Sequence, residues 1–158
     1  MKFEYDGKVF FKTGTLGSID EDGYFKLIGR LSRFYILSTL NKVYLDHVQS
    51  IMDSFDCVEE CAVVKVEDAK MLFVNKAFIV LKKGLEKGDE ILHHLHELCK
   101  KPTVLSDGEV KQLKWYEIPT YVEFVDALPR RSGTDKNDYM KLENEAATNH
   151  DGIKLKDY

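Results

Sequence analysis

The sequence has no excess of basic residues: 23 Lys and Arg stand against 27 Asp and Glu, a formal charge of −4. Its summed field therefore offers no general attraction to nucleic acid or to an anionic lipid surface, and any phosphate site has to be local. Long apolar runs are also missing. None approaches the ~20 residues a membrane helix needs, and the opening Met1-Lys2-Phe3-Glu4-Tyr5-Asp6-Gly7 holds no apolar centre of a signal peptide. Cysteine is sparse and unpatterned. Cys57, Cys61 and Cys99 are an odd set without Cys-x-x-Cys spacing, which points to reduced thiols buried as small apolar side chains and away from a disulfide framework or a zinc site. The expectation is a soluble, cytoplasmic chain with no nucleic-acid or membrane partner and no metal set.

What is present suffices for one modest core, since 44% of the 158 residues are hydrophobic. Residues 1–30 supply aromatic-rich strand pieces, Phe3 to Tyr5 and Val9 to Phe11, around Asp6-Gly7. They continue into a hairpin in which Leu16 and Ile19 lead to Asp20-Glu21-Asp22-Gly23, and Tyr24 to Ile28 returns. Gly23 can take the positive φ that closes such a turn. Gly29-Arg30, followed by polar Ser32 and Arg33 before the apolar run Phe34 to Leu37, reads as a joint between two packed units.

Beyond the joint, Asn41 to Val43 is a short strand candidate, and Leu45, Val48, Ile51 and Met52 share one helical face with Asp46 near the helix start. Glu60 to Val66 and Phe73 to Leu81 are β-branched and apolar on either side of the polar turn Glu67-Asp68-Ala69-Lys70, hence antiparallel core strands. Asp89 to Lys101 is the clearest helix, with Ile91, Leu92, Leu95, Leu98 and Cys99 in one stripe and Pro102 as its stop. Thr103 to Lys114 reads as a polar loop, Tyr121 to Val125 as a strand, and Arg130 to Asp138, which lacks any apolar residue, as an exposed loop. Asp138 can cap a short helix through Leu142, and 146–158 is expected to fray. The resulting fold class is α+β: a small mixed β-sheet with two or three packed helices, preceded by a β-hairpin subdomain.

The order Thr13-Gly14-x-Leu16-Gly17-x-Ile19-Asp20-Glu21-Asp22-Gly23-Tyr24, then Gly29-Arg30, then Asn41-Lys42-Val43-Tyr44, resembles the adenylate-forming superfamily of acyl- and aryl-CoA synthetases, nonribosomal-peptide adenylation domains and luciferases. Glu59 to Val64, Lys76 to Leu81, Ile118-Pro119, Val122 to Val125 and Leu128-Pro129-Arg130 follow in that family's order. The resemblance implies that residues 1–30 are the closing hairpin of a large N-terminal domain, that 31–145 are the C-terminal lid domain, and that the lid rotates about Ser32. Nothing in the sequence is similar to the family's Ser/Thr/Gly-rich phosphate loop, adenine-binding segment or acyl pocket. By that resemblance the chain needs an N-terminal adenylation domain as partner, with CoA or an acyl-carrier protein as thiol. ATP or AMP with Mg2+, and CoA or a pantetheine carrier, are then expected only in a complete enzyme, with none bound to this chain alone.

The same resemblance assigns roles. Thr134-Asp135-Lys136-Asn137-Asp138-Tyr139 is similar to the family's Thr-Gly-Lys-x-Asp-Tyr, whose lysine bridges the substrate carboxylate and the α-phosphate oxygens, so Lys136 is the implied catalytic residue. Asp135 replaces the glycine, and the loop from Pro129 is one residue longer. Arg30 matches the arginine that contacts the nucleotide ribose; Thr15 stands where an aspartate accepts bonds from both ribose hydroxyls, and its single uncharged oxygen is expected to weaken that hold. Thr39-Leu40 occupies a Gly-Gly pair bordering the pantetheine tunnel, where side chains obstruct a close approach to backbone. Leu45 replaces a proline, His47 a glutamate, and Arg33 an acidic residue. These departures favour a second possibility, a non-catalytic interaction or regulatory module of the same fold. His93-His94-x-His96 reads as a solvated helix face because its members do not share the i, i+4 spacing of zinc ligands. Trp115 and Tyr116 read as core packing.

Overall fold

The computed structural model describes residues 2–148, without the side chain of Thr148, and residues 152–155. Two hairpins come first. β1 (Lys2–Tyr5) pairs antiparallel with β2 (Lys8–Phe11), and β3 (Thr15–Ile19) with β4 (Phe25–Arg30). The second is closed as its sequence dictates: Asp20 Oδ1 accepts the amides of Asp22 at 3.1 Å and Tyr24 at 2.8 Å, while Gly23 takes φ 87°. Gly17 lies beneath the Phe25 ring so closely that a Cβ there would fall 2.1 Å from it. The hairpins leave their aromatic residues in solvent, with Phe11 65%, Tyr24 74% and Phe25 60% exposed.

A 3-10 turn (Leu31–Arg33) then leads into β5 (Phe34–Ile36), which pairs with β6 (Lys42–Tyr44) and brings Phe34 and Tyr44 into a stacked pair. Helix α1 (Leu45–Met52) follows, burying Leu45, Val48, Ile51 and Met52 as their spacing predicts. The main sheet is built on β7 (Val58–Asp68) and β8 (Leu72–Leu81), which are antiparallel. Helix α2 (Asp89–Cys99) carries the chain to β11 (Tyr121–Phe124), which lies parallel to β8, so the sheet is mixed.

Both faces of this sheet are covered. Cys61, Val63, Ala77 and Ile79 join α1 and α2 in one core; Ala62, Val64, Val66, Val74 and Phe78 join α3 (Tyr139–Thr148) in the other. That explains why β7 and β8 carry apolar residues at consecutive positions, such as Cys61 to Val64 and Ala77 to Leu81, rather than in alternation. The arrangement is an α+β fold with three helices among the described residues.

Three local expectations are corrected. The polar stretch 103–114 contains a short hairpin of β9 (Thr103–Val104) and β10 (Val110–Lys111), held because Leu113 and Leu105 reach the core. Helix α3 runs past Leu142 to Thr148, since Leu142 and Ala146 form a buried i, i+4 pair. The described part of the segment expected to fray is ordered in the fold: β12 (Ile153–Lys154) pairs antiparallel with β11, and Leu155 is fully buried. The remainder of that expectation, 149–151 and 156–158, lies outside the described residues.

Candidate nucleotide-facing hairpin and lysine loop

Thr15 and Arg30 are direct cross-strand partners at the open end of the β3–β4 hairpin. Three contacts fix this end: Leu31 N donates to Gly14 O at 2.7 Å, the Arg30 guanidinium to Thr13 O at 3.3 Å, and the Arg30 amide to Asp46 Oδ2 at 3.4 Å. The pair presents a permanently charged donor fork beside one hydroxyl. Such a set suits sugar hydroxyls and phosphate oxygens, without the carboxylate that would hold two hydroxyls at once.

Ser32 is the exposed centre of the 3-10 turn, and its neighbour Arg33 is buried on the other side. Arg33 pairs with Asp46, donates to Gln49 Oε1 at 2.9 Å, and lies 3.7 Å from the centre of the Tyr139 ring. The Tyr139 hydroxyl donates to the same Gln49 oxygen at 3.0 Å. One side chain thus ties the joint to α1 and α3. The positive charge that departs from the family's acidic residue has its complement in Asp46.

Thr39 and Leu40 form the turn between β5 and β6, where Leu40 N donates to Leu37 O at 2.9 Å. Leu40 has φ 63° and is 83% exposed, a left-handed conformation that costs an L side chain ~1–2 kcal/mol. Leu40→Gly is expected to stabilise the domain by about 0.5–1 kcal/mol after the greater freedom of glycine in the unfolded chain is counted. A rise in the denaturation midpoint measures this, and a fall would contradict the strain.

Lys136 is exposed on the loop between β11 and α3. Its backbone is fixed: Arg131 N donates to Lys136 O at 2.9 Å, Asp138 N to Pro129 O at 2.8 Å, and Arg130 and Asn137 form a β-bridge. The Arg130 guanidinium binds Asn137 Oδ1 and Glu60 on β7, anchoring the base of the loop to the sheet. Arg130 also approaches the carboxylate of the extra acidic residue, Asp135, at 4.0 Å. Behind the loop, Asp138 Oδ1 accepts Lys141 N at 3.2 Å and caps α3. The structure therefore joins Thr15 to Arg30 on one hairpin and holds Lys136 on a separate loop.

The profile of the AMP-binding enzyme C-terminal domain matches residues 47–136. The chain belongs to this family. Its relatives include a 4-hydroxybutyrate–CoA ligase of Metallosphaera sedula, 35% identical over 77% of this chain and 20% of that protein. A 2-succinylbenzoate–CoA ligase of Listeria innocua is 31% identical over 77% of this chain and 22% of that enzyme. Among solved structures, o-succinylbenzoate CoA synthetase from Bacillus subtilis, in complex with its acyl-adenylate intermediate, superposes with a TM-score of 0.69 at 28% identity, covering 88% of this chain and 25% of that one. ATP-bound MatB from Rhodopseudomonas palustris gives 0.66 at 30% identity, over 90% and 25%. The chain spans about a quarter or less of the length of these proteins.

Several polar features of this AMP-binding C-terminal domain have no signal in the sequence. Tyr35 donates to Asn75 Oδ1 at 2.7 Å, and Asn75 donates to Glu117 O at 2.7 Å, a buried chain that joins β5, β8 and the loop before β11. Glu117 also accepts Lys114 N at 2.8 Å and lies 4.0 Å from His47, whose imidazole burial holds below its ordinary pKa. Trp115 departs from the expected core packing: it is 61% exposed, edge-on to Tyr116, and only Tyr116 packs against the core. His94 departs from the simple solvated face, because its ring reaches Asp56 at 3.0 Å.

Proposed function

We propose that this domain acts as the lid of an ATP-dependent acid–thiol ligase, with Lys136 as the residue that enters the reaction centre and with no activity of its own in the absence of an N-terminal adenylation domain. The observation that carries this reading is the lysine loop: a fixed backbone on a pinned base, with the lysine exposed beside that base. The donor set fits a nucleotide, since Arg30 and Thr15 can meet ribose hydroxyls and Lys136 can meet a carboxylate and phosphate oxygen. Bound with Mg2+, ATP supplies the phosphorus to which a carboxylate is joined as pyrophosphate leaves. The chain's own part is to position Lys136 for that step, and then to withdraw it by rotation about Ser32 so that CoA or a carrier-borne thiol can approach.

The partner surface is proposed to be the pair of hairpins. Phe10, Phe11, Tyr24 and Phe25 concentrate exposed aromatic area on 2–30, the kind of surface an interdomain contact buries. Combining Phe11→Ser and Phe25→Ser is expected to weaken association with the N-terminal domain at least about tenfold, as measured by titration calorimetry; unchanged association would remove the hairpins from the interface.

The function itself is tested by pyrophosphate release with ATP and a panel of carboxylic acids. The chain fused behind the N-terminal adenylation domain of a CoA-ligase relative is expected to be active, and the chain alone inactive. A fusion that binds ATP but releases no pyrophosphate with any acid would overturn the ligase reading. That result would favour a non-catalytic interaction module, which Thr15, Leu40 and Asp135 support.

A further inference from the structure

Asp56 and Cys57 close the loop between α1 and β7, and His94 projects from the middle of α2. The Asp56 oxygen, the Cys57 sulfur and the His94 ring nitrogen all lie within 4.8 Å of one another. Far apart in sequence, they meet because the loop before β7 and helix α2 are packed into the same core. Each element is fixed independently: Val58 and Phe55 are buried on one side, and Ile91, Leu92 and Leu95 on the other.

We propose that Asp56, Cys57 and His94 form a binding site for one thiophilic divalent cation, with zinc the best fit. A thiolate, an imidazole and a single carboxylate make a donor set of mixed softness that suits zinc. It does not suit magnesium or calcium, which take mostly oxygen. Tetrahedral zinc, with bonds of about 2.0–2.3 Å, sets its ligands roughly 3.3–3.8 Å apart. Closing from the present spacing asks only for adjustments of the Asp56 and His94 side chains, which are 73% and 44% exposed and free to make them.

The cysteine fixes the sulfur corner because it is buried in the wall. A bound cation supplies the charge that releases its thiol proton. Of the three, His94 also lines a groove with Glu90, His93, Glu97 and Lys101, and a water can complete the shell. Such a site clips α2 to the leading end of β7.

The test uses the full chain, stripped with a chelator and titrated with zinc against a chromophoric competitor. One equivalent is expected to bind, to raise the thermal midpoint, and to lose at least about tenfold in affinity in His94→Gln and in Asp56→Asn. With cobalt in place of zinc, a thiolate charge-transfer band is expected in the near ultraviolet and is absent in Cys57→Ser. Both surface variants keep the core intact, so the outcome does not depend on how well Cys57→Ser folds. Substoichiometric binding would overturn the proposal. So would affinity unchanged by His94→Gln, or a cobalt complex without the thiolate band, since either assigns the metal to other surface histidines.

Discussion

Lys136→Ala in the two-domain fusion is expected to lower pyrophosphate release about 10²–10³-fold, the loss typical when one preorganised donor to a developing negative charge is removed. The effect should fall on kcat rather than on KM. Lys136 is exposed beside the base of its loop, so under the proposed lid role its charge would act only once the lid has closed on the reacting phosphate. Lys136→Arg is expected to recover little, since the planar guanidinium is no substitute for a compact point charge. Unchanged release in Lys136→Ala would remove this residue from the chemistry while leaving the family assignment intact.

The second large effect concerns stability. Lys76 on β8 is buried to 1% and lies 2.7 Å from Glu123 on β11, whose side chain is 25% exposed, with the Phe78 ring 5.0 Å from the ammonium. The ion pair sits on the α3 face of the sheet, between the central strand and its parallel neighbour. Glu123→Ala removes one carboxylate facing a buried ammonium and is expected to cost about 1–3 kcal/mol, below the range for a fully buried and uncompensated charge because Glu123 keeps some solvent and Lys76 has a further partner. Replacing both members by apolar residues of similar size, Lys76→Met with Glu123→Leu, is expected to return to within about 1 kcal/mol of the parent. Urea denaturation of the parent, the single variant and the double variant gives the comparison. A single-variant cost no larger than that of an exposed surface pair, below about 1 kcal/mol, would show the pair to be energetically idle.

The sequence revealed the framework well wherever short-range chemistry decides it. Gly23 and the Asp20 side chain specify a turn within four residues, the stripe of α2 specifies a helix, and the β-branched, mostly apolar stretches of β7 and β8 specify antiparallel core strands. Misreadings fell where single apolar residues are scattered through polar stretches. Leu113 and Leu155 each look like isolated residues, yet each finds a prepared place in the core, and a two-residue strand needs no pattern of its own to form.

The candidate site divides the same way. Pairing Thr15 with Arg30 takes both the Asp20–Gly23 turn and a bulge between Leu16 and Gly17, which shifts the register by one residue. The anchoring of Arg33 by Asp46, Gln49 and Tyr139, and of Arg130 by Glu60, joins residues from different elements. No spacing rule along one chain encodes such meetings. Asp56, Cys57 and His94 are the same case: the cysteine count argued against a metal set, and the histidine cluster pointed to its own helix rather than across to the neighbouring loop.

The placement of β12 bears on where this domain can safely be cut. The main sheet runs in the order β12, β11, β8, β7. β11 is only four residues long, and its outer edge is shielded by Ile153 and Lys154, with Leu155 N closing onto Thr120 O at 3.0 Å. A version of the protein ending after α3 would look complete, since all three α-helices of the described residues are retained. It would nonetheless bare a row of unpaired amides and carbonyls on the parallel strand and open the socket that Leu155 fills, which is the combination that lets one sheet recruit another. Ile153 to Leu155 thus act as a selvedge, keeping the sheet from joining to its own kind.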